Sequence, residues 1–587
     1  KLCTYKCPDH HYLETWNDSQ AKANYISLAQ PTIYPIFNTR AAQDSFLSWS
    51  GQNIKYNEFL KKEWETNYYP KAKNASMNFV SFWTKSLHDG FAELKAESQM
   101  SNEAENNENN ENSEAPTQSV SPDYTASASR LNKLMKSASG VELVVYQKVG
   151  IMDGTYANNP WLQELPDPVS KVTWDNYVCV SPKMASEQGW KDETVVKVSN
   201  GSYEIQLPVL TQPGQPYGTI GIAAGYGHNH GKEGGKVAHL LGQNAVPFMS
   251  NSSGHLVNFT DQVKLEATGE NYALAKTQTH HHIEGRELVR ESSLSKYVDN
   301  PKSVEKHGHQ LISLYKDYNY GKGHHWAMAI DLNACTGCGA CVISCQAENN
   351  VPVVGKDEVR RRREMHWIRI DRYYAVPDNE GDYLTEYKKI DKLDDLSKFD
   401  HIQVSFQPVM CQHCDNAPCE NVCPVAAIAH SDEGINQQVY NRCVGTRYCA
   451  NNCPFKVRRF NWFHYPDNDN FDFNMNYDLG KMVLNPDVTV RSRGVMEKCS
   501  FCVQRIQTQK LEAKKAGKAL EDGKIKTACQ QACPADAIVF GDMNDKDSDV
   551  YKLVNKNHRS YTMLTDLDIK PSVNYMVKLR NDKIQEA

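Results

Sequence analysis

The chain has 587 residues, too many for one ordinary core, and that length suggests about three or four domains. Its 65 basic and 71 acidic residues leave a formal charge of -6, which gives nucleic acid no reason to be the partner. The mean hydropathy is -0.63, and no window approaches the roughly 18 to 20 apolar residues of a membrane helix, so the chain is not expected to cross a bilayer itself.

KLCTYKCPDHHYLETWND has no charged stretch leading into an apolar one and no initiating methionine, so Lys1 reads as the start of a fragment, with any export signal upstream. Residues 1 to about 95 are mixed and aromatic-rich, with helices expected around 40 to 65. The Asn/Glu/Ser tract over 97–129 is too polar to bury anything and reads as an exposed or disordered insertion. From about 140 to 265, the strand patterns VELVVYQKV, TVVKVSN and YEIQLPVL stand between Gly, Pro and Asn turns, which points to a compact β-barrel. Residues 266–325 read as a polar connector, where His280, His281 and His282 are better explained by an exposed loop than by a metal site. Arg360 to Arg363 form a local basic run, read as a solvated or interface patch.

From Asp331 onward the cysteines begin, and 15 of the 18 in the chain lie there in four runs. The first is Cys335, Cys338, Cys341 and Cys345; the second is Cys411, Cys414, Cys419 and Cys423. The third is Cys443, Cys449 and Cys453, and the fourth is split into Cys499, Cys502, Cys529 and Cys533. A disulfide framework fits poorly, because C-x2-C pairs in runs ending Cys-Pro gather thiolates around one point. Structural zinc also uses C-x2-C pairs, but the third close cysteine and the C-x3-C-P ending favour iron-sulfur ligation.

In two-cluster ferredoxins the fourth cysteine of each run serves the neighbouring cluster, so runs work in pairs. Four complete cubanes would ask for one thiolate more than the 15 these four runs supply. The gap is at Thr446, which holds the second cysteine position of CVGTRYCANNCP. A neutral, hard hydroxyl in place of a thiolate favours loss of that iron and a 3Fe-4S cluster. The competing reading is a 4Fe-4S cluster whose odd iron is capped by hydroxyl or water.

The order and spacing of the runs resemble the four-cluster subunits of the molybdopterin oxidoreductase superfamily, including those of polysulfide reductase and respiratory nitrate reductase. That resemblance implies pairing of the first run with the fourth and of the second with the third. Carried over, one 4Fe-4S cluster takes Cys335, Cys338, Cys341 and Cys533, and another takes Cys499, Cys502, Cys529 and Cys345. A third takes Cys411, Cys414, Cys419 and Cys453, beside a 3Fe-4S site of Cys443, Cys449 and Cys423 with Thr446 non-ligating. Gln346, where the common pattern has proline after Cys345, hardly affects ligation.

Upstream, NNPWLQELPDPVSKVTWDNYVCVSP and GYGHNHGKEGGKVAHLLGQNAVPF look like the C-terminal barrel of a molybdopterin-binding catalytic subunit, and YLETWND with QPTIYP like a stretch just before it. Fusion of such a domain to a four-cluster domain is similar to the iron-sulfur subunits of the alternative complex III family, bacterial quinol:electron-acceptor oxidoreductases. The implied fold is an α+β multidomain chain. It comprises part of a molybdopterin-oxidoreductase-like domain over 1–135, a barrel of molybdopterin-dinucleotide-binding type over 136–265, a connector over 266–325 and a double two-cluster ferredoxin-like domain over 326–587. Gly225, Gly227 and Asn244 could line a pterin, but glycine-rich turns at strand ends are more often plain structure, and the resemblance implies no molybdopterin.

Also implied are an integral membrane quinol-binding partner supplying electrons from menaquinol or ubiquinol and c-type haem subunits as acceptors. The implied location is peripheral, on the periplasmic face of the bacterial cytoplasmic membrane, with membrane contact only through partners. No catalytic residue is expected on this chain: no P-loop, HExxH motif or Ser-His-Asp order stands out. The alternatives are a fragment of an active molybdenum or tungsten enzyme of polysulfide reductase type and a free-standing ferredoxin-like carrier. Among other residues, Cys3 and Cys7 fit a disulfide or, better, ordinary packing, Cys179 reads as a buried packing residue, and Trp462 and Phe463 read as core, with cover for the three-iron site or contact with a membrane partner as alternatives.

Overall fold

A computed structural model describes residues 4–5, 7–95, 124–137, 140–228, 237–239, 241–252, 254–305, 318–377, 383–384, 396, 402–468 and 478–581. The chain divides into two compact units, residues 1–123 and 124–587.

In the first unit, β1 (Asn17–Lys22) and β2 (Tyr25–Ala29) form a hairpin that turns through Asn24 at φ 62, a left-handed position asparagine tolerates. The expected helices are α1 (Ala42–Trp49) and α2 (Tyr56–Glu63). A further helix, α3 (Phe79–Asp89), starts at Asn78, whose side chain accepts from Ser81 N, and stops at Gly90 in the left-handed region. It leads into β3 (Phe91–Glu93), which pairs with β2. Trp64, Phe82, Trp83, Leu60 and Ile26 form the core of this unit.

The second unit begins with α4 (Tyr124–Ser137). This helix corrects the reading of 97–129 as wholly irregular at its last residues, since the Ala, Leu, Lys and Met content of YTASASRLNKLMKS favours helix. The rest of that tract lies outside the described residues.

The strands β4 (Val141–Tyr146), β5 (Val178–Val180), β6 (Thr194–Ser199), β7 (Glu204–Thr211), β8 (Thr219–Ala223) and β9 (Phe259–Asn271) close into a barrel. Closure comes from β9, which pairs with β4 at Phe259↔Val144 and with β6 at Lys264↔Ser199, leaving no free edge. Every second residue points inward: Leu143 and Val145, Val196 and Val198, Ile205, Leu207 and Val209, Ile220 and Ile222. Cys179, in β5, is buried as expected, whereas Cys7 is exposed and Cys3 lies outside the described residues.

Beyond the barrel, β10 (Glu291–Ser293) lies within the connector, and β11 (Trp326–Asp331) leads to the first cysteine run. A hairpin of β12 (Arg369–Pro377) and β13 (Gln403–Val409) precedes the second run. After the fourth run come β14 (Ile538–Asp542), β15 (Ser560–Tyr561), β16 (Val573–Met576) and β17 (Lys578–Arg580). One sheet has the order β14-β11-β16-β15, and β17 runs parallel to β10. Among the described residues no helix is long and apolar enough to cross a membrane.

The barrel is tied directly to the cysteine-bearing part. Helix α5 (Pro160–Glu164) ends on Glu164, whose carboxylate accepts from Val354 N and Gly355 N at 3.1 and 2.8 Å. Lys171 donates to Ile370 O at 2.5 Å, and Arg372 Nε donates to Val169 O at 2.8 Å.

The connector histidines take part in the local structure, His282 Nδ1 accepting from Glu284 N. His280 O accepts from Arg372 and His281 O from Tyr374 N, so these two are used through their backbone. The Arg360–Arg363 run is partly neutralised: Arg361 and Arg363 both pair with buried Glu358, at 2.7 and 3.0 Å.

Candidate metal centres

Cys335 and Cys338 sit on the loop after β11, and Cys341 and Cys345 lie one turn apart on α6 (Ala340–Glu348). The loop needs glycine twice. Gly337 has φ 75 and a side chain there would strike the Phe406 ring at 2.7 Å; Gly339 has φ 81 and would strike Leu165 of the barrel part at 2.9 Å.

The fourth run frames the same region. Cys499 and Cys502 precede α7 (Val503–Ala516), and Cys529 rides on the short α8 (Ala528–Gln531), which Thr527 caps by accepting from Gln530 N. The thiol of Cys341 lies within electrostatic reach of Cys529, Cys335, Cys338 and Cys533. Cys345 lies within reach of Cys499, Cys502 and Cys529. The first and fourth runs therefore face each other.

In the second run Cys414 neighbours Cys411, Cys453 and Cys419, which brings a third-run cysteine to the second run. Cys423, Cys443 and Cys449 pack against the same apolar core. Arg442, next to Cys443, donates to Ala426 O at 3.4 Å, three residues after Cys423, and Asn452 donates to Pro418 O at 2.6 Å. The two halves also meet, for Cys499 lies within reach of Cys411. Between them His413 stacks on Phe501 at 3.7 Å, and the buried Lys498 ammonium donates to Asn436 O and Cys499 O.

Burial, then the neighbouring thiols, pushes Cys341, Cys345 and Cys414 well above the usual thiol range. Burial pushes Cys502 up to about 12; for Cys419, up to about 11, the nearby Arg458 partly offsets it. So many crowded, buried thiols become thiolates only beside strong positive charge, which metal ions supply. All fifteen are free of disulfides. Among the described residues no three His, Cys, Asp or Glu side chains converge tightly enough for one metal ion.

The surrounding donors fit sulfur ligands. Ala427 N donates to Cys423 Sγ at 3.2 Å, Ala537 N to Cys533 Sγ at 3.3 Å, Phe501 N to Cys499 Sγ at 3.4 Å and Ala528 N to Cys502 Sγ at 3.5 Å. The Asn349 amide donates to Cys345 and Cys502, and the Arg458 guanidinium to Cys419. Such N–H···S bonds favour the thiolate and help set cluster potential.

Thr446 is exposed and lines a cavity of about 470 Å³ together with Arg447, Arg458, Arg459 and Trp462. Trp462, which lines this cavity, lies beside the guanidinium groups of Arg363 at 4.4 Å and Arg447 at 4.7 Å, and Phe463 packs edge-on to Tyr465. Gln346 is buried against Trp161 in a cavity of about 20 Å³. Gly225 and Gly227 are structural glycines: a side chain at Gly227 would lie 2.2 Å from Asn244 N, and one at Gly225 would lie 2.7 Å from Ile151.

Two families described as 4Fe-4S dicluster domains match residues 334–427 and 402–467. The iron-sulfur cluster-binding component of the menaquinone reductase of Nitratidesulfovibrio vulgaris is 37% identical over 255 residues, 43% of this chain and 88% of that protein. The chain belongs to this family of iron-sulfur subunits. A putative dimethyl sulfoxide reductase iron-sulfur subunit of Halobacterium salinarum is 32% identical, covering 43% of this chain and 79% of that protein. The iron-sulfur subunit 1 of an Hdr-like menaquinol oxidoreductase of Archaeoglobus fulgidus is 31% identical, covering 40% and 76%. A solved structure, acetylene hydratase of Pelobacter acetylenicus, aligns at a TM-score of 0.29 and 16% identity over 44% of this chain and 38% of that one, too weak a likeness to bear on the fold.

Within this iron-sulfur subunit the sequence reading missed the sulfur donors Asn349 and Arg458. Asn349 follows Cys345 by four residues on one helix face, a spacing legible in the sequence; Arg458 reaches Cys419 only through the tertiary fold.

Proposed function

We propose that this chain is the electron-transfer subunit of a membrane-associated quinol oxidoreductase of the alternative complex III type, holding three 4Fe-4S clusters and one 3Fe-4S cluster. The observation that carries this reading is the continuity of the thiols: Cys341 neighbours Cys529, Cys345 neighbours Cys499, and Cys499 neighbours Cys411. Bound clusters would supply one-electron carriers along that line.

The ligand sets we assign are Cys335, Cys338, Cys341 and Cys533; Cys499, Cys502, Cys529 and Cys345; Cys411, Cys414, Cys419 and Cys453; and, for the three-iron site, Cys443, Cys449 and Cys423. The chain's own contribution is to bury nine of these fifteen thiols, to donate hydrogen bonds to their sulfurs and to hold buried cations, Lys498 and Arg458, beside them. Electrons would come from menaquinol or ubiquinol oxidised in an integral membrane partner and leave to c-type haem subunits, on the periplasmic face. The relatives from menaquinone and menaquinol enzymes support the quinone side of this proposal.

Iron, acid-labile sulfide and EPR on freshly isolated complex test the proposal. The expected census is three four-iron signals and one three-iron signal per chain; iron sufficient for only one or two clusters would refute it. Molybdenum and pterin in stoichiometric amount in the full-length protein would replace it with the active molybdopterin enzyme reading.

A further inference from the structure

Arg458 is 6% exposed, and its guanidinium is shared. Nη1 donates to Cys419 Sγ at 3.6 Å, and Nη2 donates to Gln438 Oε1. The same guanidinium lies within electrostatic reach of Cys449. Cys419 and Cys449 belong to different ligand sets in the function proposed above, the first with Cys411, Cys414 and Cys453, the second with Cys423 and Cys443. Arg458 Nε is buried and has no acceptor among the described residues. A buried N–H left open beside thiolates suits an acceptor that arrives with a cluster, such as its sulfide.

Gln438 fixes one arm of the fork, and it comes from the strand Asn436–Gln438, which pairs with Ile428–His430 just after Cys423. Arg458 itself follows Cys453 by five residues. The guanidinium is thus built in from both runs. An arginine cannot give up its charge, so the positive charge stays between the two sulfur sets whatever their redox state.

We propose that Arg458 is a positioning residue shared by two neighbouring clusters, one fixed charge that raises the reduction potentials of both and makes them move together. The inference rests on the ligand sets assigned above. Reduction adds negative charge to a cluster, so a cation touching its thiolates favours the reduced form. Thr446 accounts for the missing iron of one site; Arg458 accounts for a link in potential between that site and the next.

The test is an EPR-monitored redox titration of the intact complex carrying Arg458→Gln or Arg458→Lys. Arg458→Gln is expected to lower the reduced-to-oxidised ratio at fixed potential by tenfold or more in both the three-iron cluster and the cluster of Cys411, about 59 mV per tenfold for a one-electron couple. The two clusters of the first and fourth runs serve as internal controls and stay in place. A shift in one cluster only, in neither, or equally in all four overturns the proposal. If Arg458→Gln fails to assemble, Arg458→Lys, which keeps the charge but loses the fork, is expected to shift both midpoints together by less than tenfold or not at all; a shift in one of the two clusters only overturns the proposal. Absence of the two signals from the unmodified protein would instead refute the ligand sets themselves.

Discussion

The side-chain amide of Asn349 donates to the sulfur of Cys345, one helical turn before it, at 3.5 Å, and also reaches Cys502 Sγ at 3.9 Å. A single amide thereby joins the first run to the fourth. Replacing it by leucine removes the donor while keeping the bulk. The net value of such a bond, roughly 0.5–1.5 kcal/mol, corresponds to a fall in midpoint of up to about 59 mV for a one-electron couple. Redox titration of Asn349→Leu is expected to show that fall in one four-iron cluster; an unchanged midpoint would show that the amide acts only on the helix.

Thr446 sits where a thiolate is missing, and it faces an open cavity rather than packed core. On the three-iron proposal, Thr446→Cys supplies the absent soft ligand and is expected to abolish the three-iron signal of the oxidised protein and give a four-iron signal on reduction, with one more iron per chain by analysis. Persistence of the original signal would mean that something other than the hydroxyl keeps the site short of iron.

Burial pushes the Glu164 carboxyl up to about 8, against the hydrogen bonds from Gly355 and Val354 that pull it down. The folded chain therefore holds a proton that the unfolded chain has released, from the ordinary glutamate value of about 4.3 upward. Stability from this group is full below that value and is lost as pH rises toward about 8. The melting temperature is expected to decline across that window more steeply than in Glu164→Gln, whose side chain cannot ionise. Equal slopes would exclude Glu164 as the source. Glu164→Ala leaves two buried N–H groups unsatisfied and is expected to cost about 1–3 kcal/mol.

Gly227 is held at φ 76 with Asn244 N directly where a side chain would begin. Gly227→Ala is expected to destabilise the barrel by at least about 1–3 kcal/mol, the usual range for a strained backbone position. Gly201→Ala is the matched control, since Gly201 also has positive φ, 89, but open space around it. Denaturant unfolding compares the two; equal losses would reduce the Gly227 effect to backbone conformation alone.

The barrel strands were legible because Val, Ile and Leu alternate over 141–146, 194–199 and 204–211, and alternation reports one buried face directly. The cysteine runs were legible because ligand spacing is local. The helix at 124–137 was not, since the polar tract before it masked its onset. Nor was the junction between barrel and cysteine part: Glu164 meets Val354 and Gly355 across about 190 residues, and a long-range partner leaves no local period. Nor was Arg458, whose sulfur acceptor comes from another run.

The arrangement of β11 has a consequence for biogenesis. This strand, which delivers the first cysteines, is an inner member of its sheet, flanked by β14 on one side and β16 on the other. A nascent chain emerging from the ribosome cannot settle β11 until residues 573–576 have been made, and Cys533, the neighbour of Cys335, comes only shortly before them. On the ligand set proposed above for Cys335 and Cys533, iron delivery to that site would follow synthesis of these last strands, and the early cysteines would need protection from oxidation for as long as translation of the intervening sequence takes.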